Sequence, residues 1–168
     1  MNVGKKLPIL FILKGRRGGS IEAEEIPHYP AGHVYTVQEN AWMDATAWAF
    51  YVHELLRFEI NGPAVLLVDN FDSHVSEEGQ RVVAEDACAA VVPLPPNSTA
   101  ACQPLDVGVM GPLKAKMRAR YTGHVGATAR EKRLNAIQAT IASWDALPDT
   151  TIARSFDKAI PMYPEVHV

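Results

Sequence analysis

Ala64-Val65-Leu66-Leu67-Val68 is a wholly apolar run, with Asn61-Gly62-Pro63 before it and Asp69 after it. A short run of this kind, without polar alternation, predicts a strand covered on both faces and placed near the middle of a parallel sheet. That placement constrains everything around it. A parallel sheet needs flanking helices, so the chain on either side must alternate between strand and helix.

The sequence has that alternation. Leu7 to Leu13 predicts a strand closed by the turn Lys14-Gly15-Arg16-Arg17-Gly18-Gly19, and His33 to Val37 a short second strand. From Met43 to Phe58 the apolar residues Ala47, Trp48, Phe50, Tyr51, Leu55 and Phe58 recur at helical spacing, with Asp44 or Asn40 near the start. After Asp69, Ser76 precedes a helix from Glu77 to Asp86 with acids in its first turn, and Ala87 to Leu94 predicts the next parallel strand. Asn97-Ser98-Thr99 then reads as a loop. A helix follows from Gln103-Pro104-Leu105-Asp106 to Tyr121, kinked or delayed by Gly108, Gly111 and Pro112. A last amphipathic helix from Arg130 to Trp144 carries Leu134, Ile137, Ile141 and Trp144 on one face, and the chain beyond Leu147 predicts a loosely held tail.

Composition excludes several classes. With 168 residues, 48% of them apolar and 21% charged, the chain can bury a real core. The longest apolar stretch near the start, Leu7 to Leu13, contains a proline and is far short of a membrane span, and no small-residue cleavage site follows it. An intracellular, soluble protein is expected. Cys88 and Cys102 lack CxxC spacing and are expected to be buried free thiols.

Charge is zoned. Residues 1 to 19 contain Lys5, Lys6, Lys14, Arg16 and Arg17 and no acid, whereas 20 to 90 are strongly acidic. Between Gly111 and Arg133 stand Lys114, Lys116, Arg118, Arg120, Arg130, Lys132 and Arg133 against Glu131 alone. Clustered cations suit a phosphate backbone, because counterion release favours them on a polyanion. A solvated helix face has the same composition.

Ligands of an open α/β sheet bind outside the carboxyl ends of its strands, where Asp69 stands. Asp106 follows the next strand by way of a proline loop and returns to the same edge. Adjacent parallel strands lie about 4.8 Å apart, so the two acids are expected to converge on one cation. Magnesium is commonly held by one or two carboxylates plus substrate phosphates. Asp72, His74 and Gln103 are placed by sequence as neighbours of that site. Taken alone, Asp69 reads as a turn former or helix cap, and His74 as a maker of local backbone hydrogen bonds.

The joint pattern resembles a family. Asp69-Asn70 through His74, then Pro93-Leu94-Pro95-Pro96-Asn97-Ser98-Thr99, Gln103-Pro104-Leu105-Asp106-Val107-Gly108-Val109 and Gly111-Pro112-Leu113-Lys114 look like the nuclease domain of pogo-type DDE superfamily transposases and the jerky-like and centromere-binding proteins derived from them. Upstream, Gly4-Lys5-Lys6-Leu7-Pro8 through Lys14-Gly15, and Trp42-Met43, stand in the same order. The resemblance spans residues 4 to 121. It implies an RNase H-like α/β fold, a mixed sheet with flanking helices, and three acids binding two Mg2+ or Mn2+ ions for attack on a DNA phosphodiester. Asp69 matches the second acid and Asp106 the third. The first, on the central first strand, has no match here, and neither do the DNA-recognition modules that normally come before. The expected product is an N-terminally truncated domain with open strand edges and weak or no catalysis. Glu39, Asp44 and Glu59 are candidates for the missing acid by charge, although the sequence puts each in or beside the long helix.

The resemblance thus implies a DNA-binding domain of nuclear location. Residues 1–121 would form the partial nuclease domain, 122–147 a helical extension and 148–168 the tail. The alternatives are an active metal-dependent endonuclease within a longer chain, and an unrelated α/β phosphohydrolase using Asp69 as nucleophile. The last lacks a readable glycine-rich phosphate loop.

Overall fold

The computed structural model describes residues 4–121 and 128–160. Its strands are β1 (Leu10–Lys14), β2 (Val34–Gln38), β3 (Ala64–Val68) and β4 (Ala89–Pro93). β1 pairs with β2 in parallel, Leu10 opposite Val34, and β3 with β4 in parallel, Ala64 opposite Ala89. Among the described residues, no strand joins the two pairs. The α/β class expected from the alternation is present, but as two small parallel sheets rather than one mixed sheet.

That division corrects the expectation for the Ala64–Val68 run. β3 has a single hydrogen-bonded neighbour, and Val65 is 63% exposed, so the strand is covered mainly on the face bearing Leu66 and Val68. Val92 of β4 is likewise 43% exposed. An all-apolar strand announces burial on both sides, but only a neighbouring layer can provide it.

Between β2 and β3 runs one long helical segment. It opens as α1 (Ala45–Tyr51), passes through a π turn (Val52–Leu56) and closes as α2 (Arg57–Glu59). Asp44 caps it, its carboxylate accepting from the Ala47 amide at 2.8 Å. Trp48, Val52, Leu55 and Leu56 from this segment meet Val68, Val83, Ala87 and Ala89 in the main core. Trp48 donates its indole N–H to the Gly79 carbonyl at 3.0 Å, a buried bond that ties the helix to α4 (Glu77–Ala87).

The short helix α3 (Asp72–Val75) turns the chain from β3 into α4. Gly79 makes that turn close: a Cβ there would collide with the Ser73 carbonyl, so a residue without a side chain is needed where the two helices meet. α4 ends on Cys88, which adopts a left-handed conformation with φ 51°. Cys88 is therefore exposed at a helix end rather than buried, and Cys102 is half-buried; both are free thiols.

Downstream, Asn97-Ser98 lie in the expected loop, but Thr99 begins the single turn α5 (Thr99–Cys102). A π turn (Leu105–Val109) then leads into α6 (Met110–Arg120), so the regular helix starts later than Gln103, the delay that Gly108, Gly111 and Pro112 suggested. The Met110 amide bonds to the Leu105 carbonyl five residues back, the widened spacing of a π turn.

α7 (Ala129–Asp145) carries a capping box, Thr128 and Glu131 each satisfying the other's backbone. The expected loose tail contains α8 (Asp149–Ala159) instead, while residues 161–168 lie outside the described residues. Pro148 stands at the N-cap, so it opens the helix rather than interrupting one. Ile152, Ser155 and Ala159 then bury one stripe, and Ile152 joins Val109, Leu113 and Leu147 in a second core.

Candidate functional site

Asp69 follows the last residue of β3, at the carboxyl end of a parallel strand. Its neighbour Asn70 donates from Nδ2 to the Leu94 carbonyl at 2.6 Å, and the Leu94 amide donates to the Val68 carbonyl at 2.8 Å. These two bonds clamp the Asp69 loop to the segment leaving β4. The loop is thus positioned by strand pairing.

Asp69 meets His74. Nδ1 of the imidazole lies 2.7 Å from Oδ1, and the same oxygen accepts from the Phe71 amide at 3.3 Å. Facing a carboxylate, Nδ1 carries the ring proton. The His74 ring packs on Trp48, centroids 4.4 Å apart, and on Phe71 at 5.7 Å. Its Nε2 is buried without a hydrogen-bond partner among the described residues, as are Ser73 Oγ and Gln103 Oε1. Buried polar atoms of this kind are ordinarily hydrogen-bonded to protein or to ordered water.

The expected neighbour His74 is therefore in direct contact with Asp69. Asp72 opens α3 with an exposed side chain and does not enter that contact. Asp106 lies exposed in the π turn before α6, its amide bonded to the Gln103 carbonyl at 3.0 Å. Among the described residues, no three His, Cys, Asp or Glu side chains gather where they could hold a metal ion. The donor set present thus does not fit a complete two-ion site.

The three charge candidates for a further acid are occupied elsewhere. Asp44 caps α1, Glu59 pairs with Lys5 at 2.6 Å, and Glu39 lies 3.9 Å from Arg16. Glu39 nevertheless immediately follows β2, so it stands at a strand's carboxyl end, where the sequence alone did not put it.

The basic zone divides in two. Lys114, Lys116, Arg118 and Arg120 all lie on α6, and none makes an ion pair among the described residues; Lys116 is half-buried and the other three exposed. On α7, Arg133 grips the buried Glu25 through Nε at 3.0 Å and through Nη2, and Arg130 donates to the Glu24 carbonyl at 3.3 Å. Arg133 serves an internal bridge and is withdrawn from any free basic surface. Lys132 remains exposed.

That bridge shifts titration. The Arg133 guanidinium holds the Glu25 carboxyl below its ordinary range, against the opposing effect of burial, with Tyr29 donating at 2.9 Å. Burial first and Glu25 second push the Tyr29 hydroxyl up to about 12.

Sequence reasoning treated Trp48 as core alone and gave Ser73 no role. Trp48 is core, but it is also the surface on which His74 rests. An aromatic at helical spacing carries no sequence mark of this second duty.

A family model for DDE superfamily endonucleases matches residues 2–156 of the chain. The match extends past α6 through α7 and into α8. No solved structure matches the chain significantly.

Proposed function

The chain belongs to the DDE superfamily of endonucleases, and from that premise we propose that it is a transposase-derived, RNase H-like domain that binds DNA without efficient cleavage. The observation carrying this reading is the family match together with Asp69 at the carboxyl end of β3, where ligands of α/β sheets bind. The α6 cations supply the affinity. Lys114 with Arg118, and Lys116 with Arg120, each stand one turn apart on α6, and an exposed pair of this kind meets phosphates as counterions leave. Weak catalysis would follow from an incomplete ligand set, since no three His, Cys, Asp or Glu side chains gather among the described residues. A nuclear location accords with this reading.

The test is DNA binding measured against ionic strength. On duplex DNA, log affinity falls with log salt at about 0.9 per phosphate neutralised, so the α6 cations together predict a steep slope. A flat response, or wild-type slope in a variant with all four changed to alanine, would overturn it.

A second reading, a Mg2+- or Mn2+-dependent endonuclease, is favoured by one observation. Asp69 engages His74 through Oδ1, and Oδ2 makes no hydrogen bond among the described residues. Nicking of supercoiled DNA that requires either ion and disappears in Asp69→Asn would establish this reading over the first.

A further inference from the structure

At the carboxyl ends of β1 and β2 lies a cavity of about 380 Å³, lined by Gly15, Arg16, Arg17, Glu39, Asp44 and Thr46 among others. Ala47, in its wall, precedes Trp48, and the Trp48 ring carries the His74 that bonds Asp69.

Arg16 and Arg17 line the cavity together with Glu39 and Asp44. Asp44 is turned onto the Ala47 amide as a cap, and Glu39 reaches Arg16 only at 3.9 Å, both side chains largely exposed. Lys14 and Arg17, also exposed, have no ion-pair partner among the described residues. Arg16 and Arg17 both line the cavity and can face a phosphate there, whereas Lys14 lies one residue outside its lining.

The loop joining two wall residues, Glu39 and Asp44, carries the second observation. Gln38 Oε1 accepts from the Asn40 amide at 2.6 Å and from the Trp42 amide at 3.1 Å, and Ala41 takes a left-handed φ of 58°. This fold of the loop presents Trp42 to solvent at 64% exposure, stacked on no other ring among the described residues. A large exposed aromatic beside an arginine-bearing turn is the composition of a single-strand platform, where bases stack and cations follow the backbone.

We propose that the Lys14–Arg17 turn and Trp42 form a subsite for an unpaired DNA strand, a base stacking on the indole while Arg16 and Arg17 hold the adjoining phosphates. The subsite rests on the nucleic-acid reading above but uses none of the α6 cations.

The test compares a short labelled oligothymidine with a duplex of equal length on the full chain. Trp42→Ala should weaken oligothymidine binding roughly 5- to 150-fold, the range for one stacked base, and leave duplex binding nearly unchanged. Trp42→Phe should recover most of the loss. Arg16→Ala with Arg17→Ala should lower the single-strand salt slope by roughly 1.4, at about 0.7 per phosphate. All these side chains are exposed, so unchanged melting curves will show the fold intact. If these variants bind oligothymidine like the wild type while the α6 variant loses binding, the subsite is overturned and the nucleic-acid reading stands. If the wild type binds neither DNA, both fall.

Discussion

His74 meets the Asp69 carboxylate at 2.7 Å from five residues along the chain, and this contact sets the direction of the acid that follows β3. The ring that makes it rests on Trp48. His74→Ala removes both the donor and the packed ring, and should lower stability by roughly 1–3 kcal/mol in chemical denaturation. His74→Asn, which keeps a short donor, should recover part of that loss. Equal destabilisation by both would show that the ring alone matters.

The Glu25–Arg133 bridge predicts acid sensitivity. Glu25 is held below its ordinary value of 4.5, so its contribution is complete above that pH and disappears as pH falls through the lower folded value. Glu25→Gln should flatten the stability profile in that window. Arg133→Ala should cost roughly 1.5–3 kcal/mol near neutrality and raise the acid midpoint, both measurable by urea denaturation across pH.

Tyr29 and Tyr51 set the opposite limit. Burial is the leading cause in each, pushing the hydroxyl up to about 12 from 10, so stability holds below 10 and drops as pH climbs between those values. Tyr51→Phe should remove part of the alkaline loss seen by circular dichroism. No change in the alkaline limb would contradict the burial of that hydroxyl.

Gly108 carries α8. A Cβ there would lie 2.7 Å from the Ser155 Cβ, so Gly108→Ala must push α8 away from the π turn. A cost of roughly 1–3 kcal/mol is expected for such overpacking, together with faster amide exchange in α8. Ser155→Gly in the same chain should relieve it.

Much of this was legible beforehand, for a definable reason. The runs Ala64 to Val68 and Ala87 to Leu94, and the helical period from Met43 to Phe58, are local signals, and each produced its element. What failed was non-local. Val65 is apolar but exposed because covering it requires a layer the strand itself does not encode. Arg133 belonged by composition to a cationic face, and only the fold brings Glu25 to it across 108 residues. α8 was obscured because Pro148 looks like a breaker until its place at the N-cap is known. Within the site, Asp69 and its nearness to His74 followed from spacing, whereas the seat beneath His74 comes from Trp48, on another element.

The bond from Trp48 to the Gly79 carbonyl has one more consequence. The acid-bearing loop is braced from its far side by a helix-to-helix joint as well as by β3 and β4. Were β1 and β2 to separate from the rest in a partial opening, Asp69 and His74 would travel together as a unit.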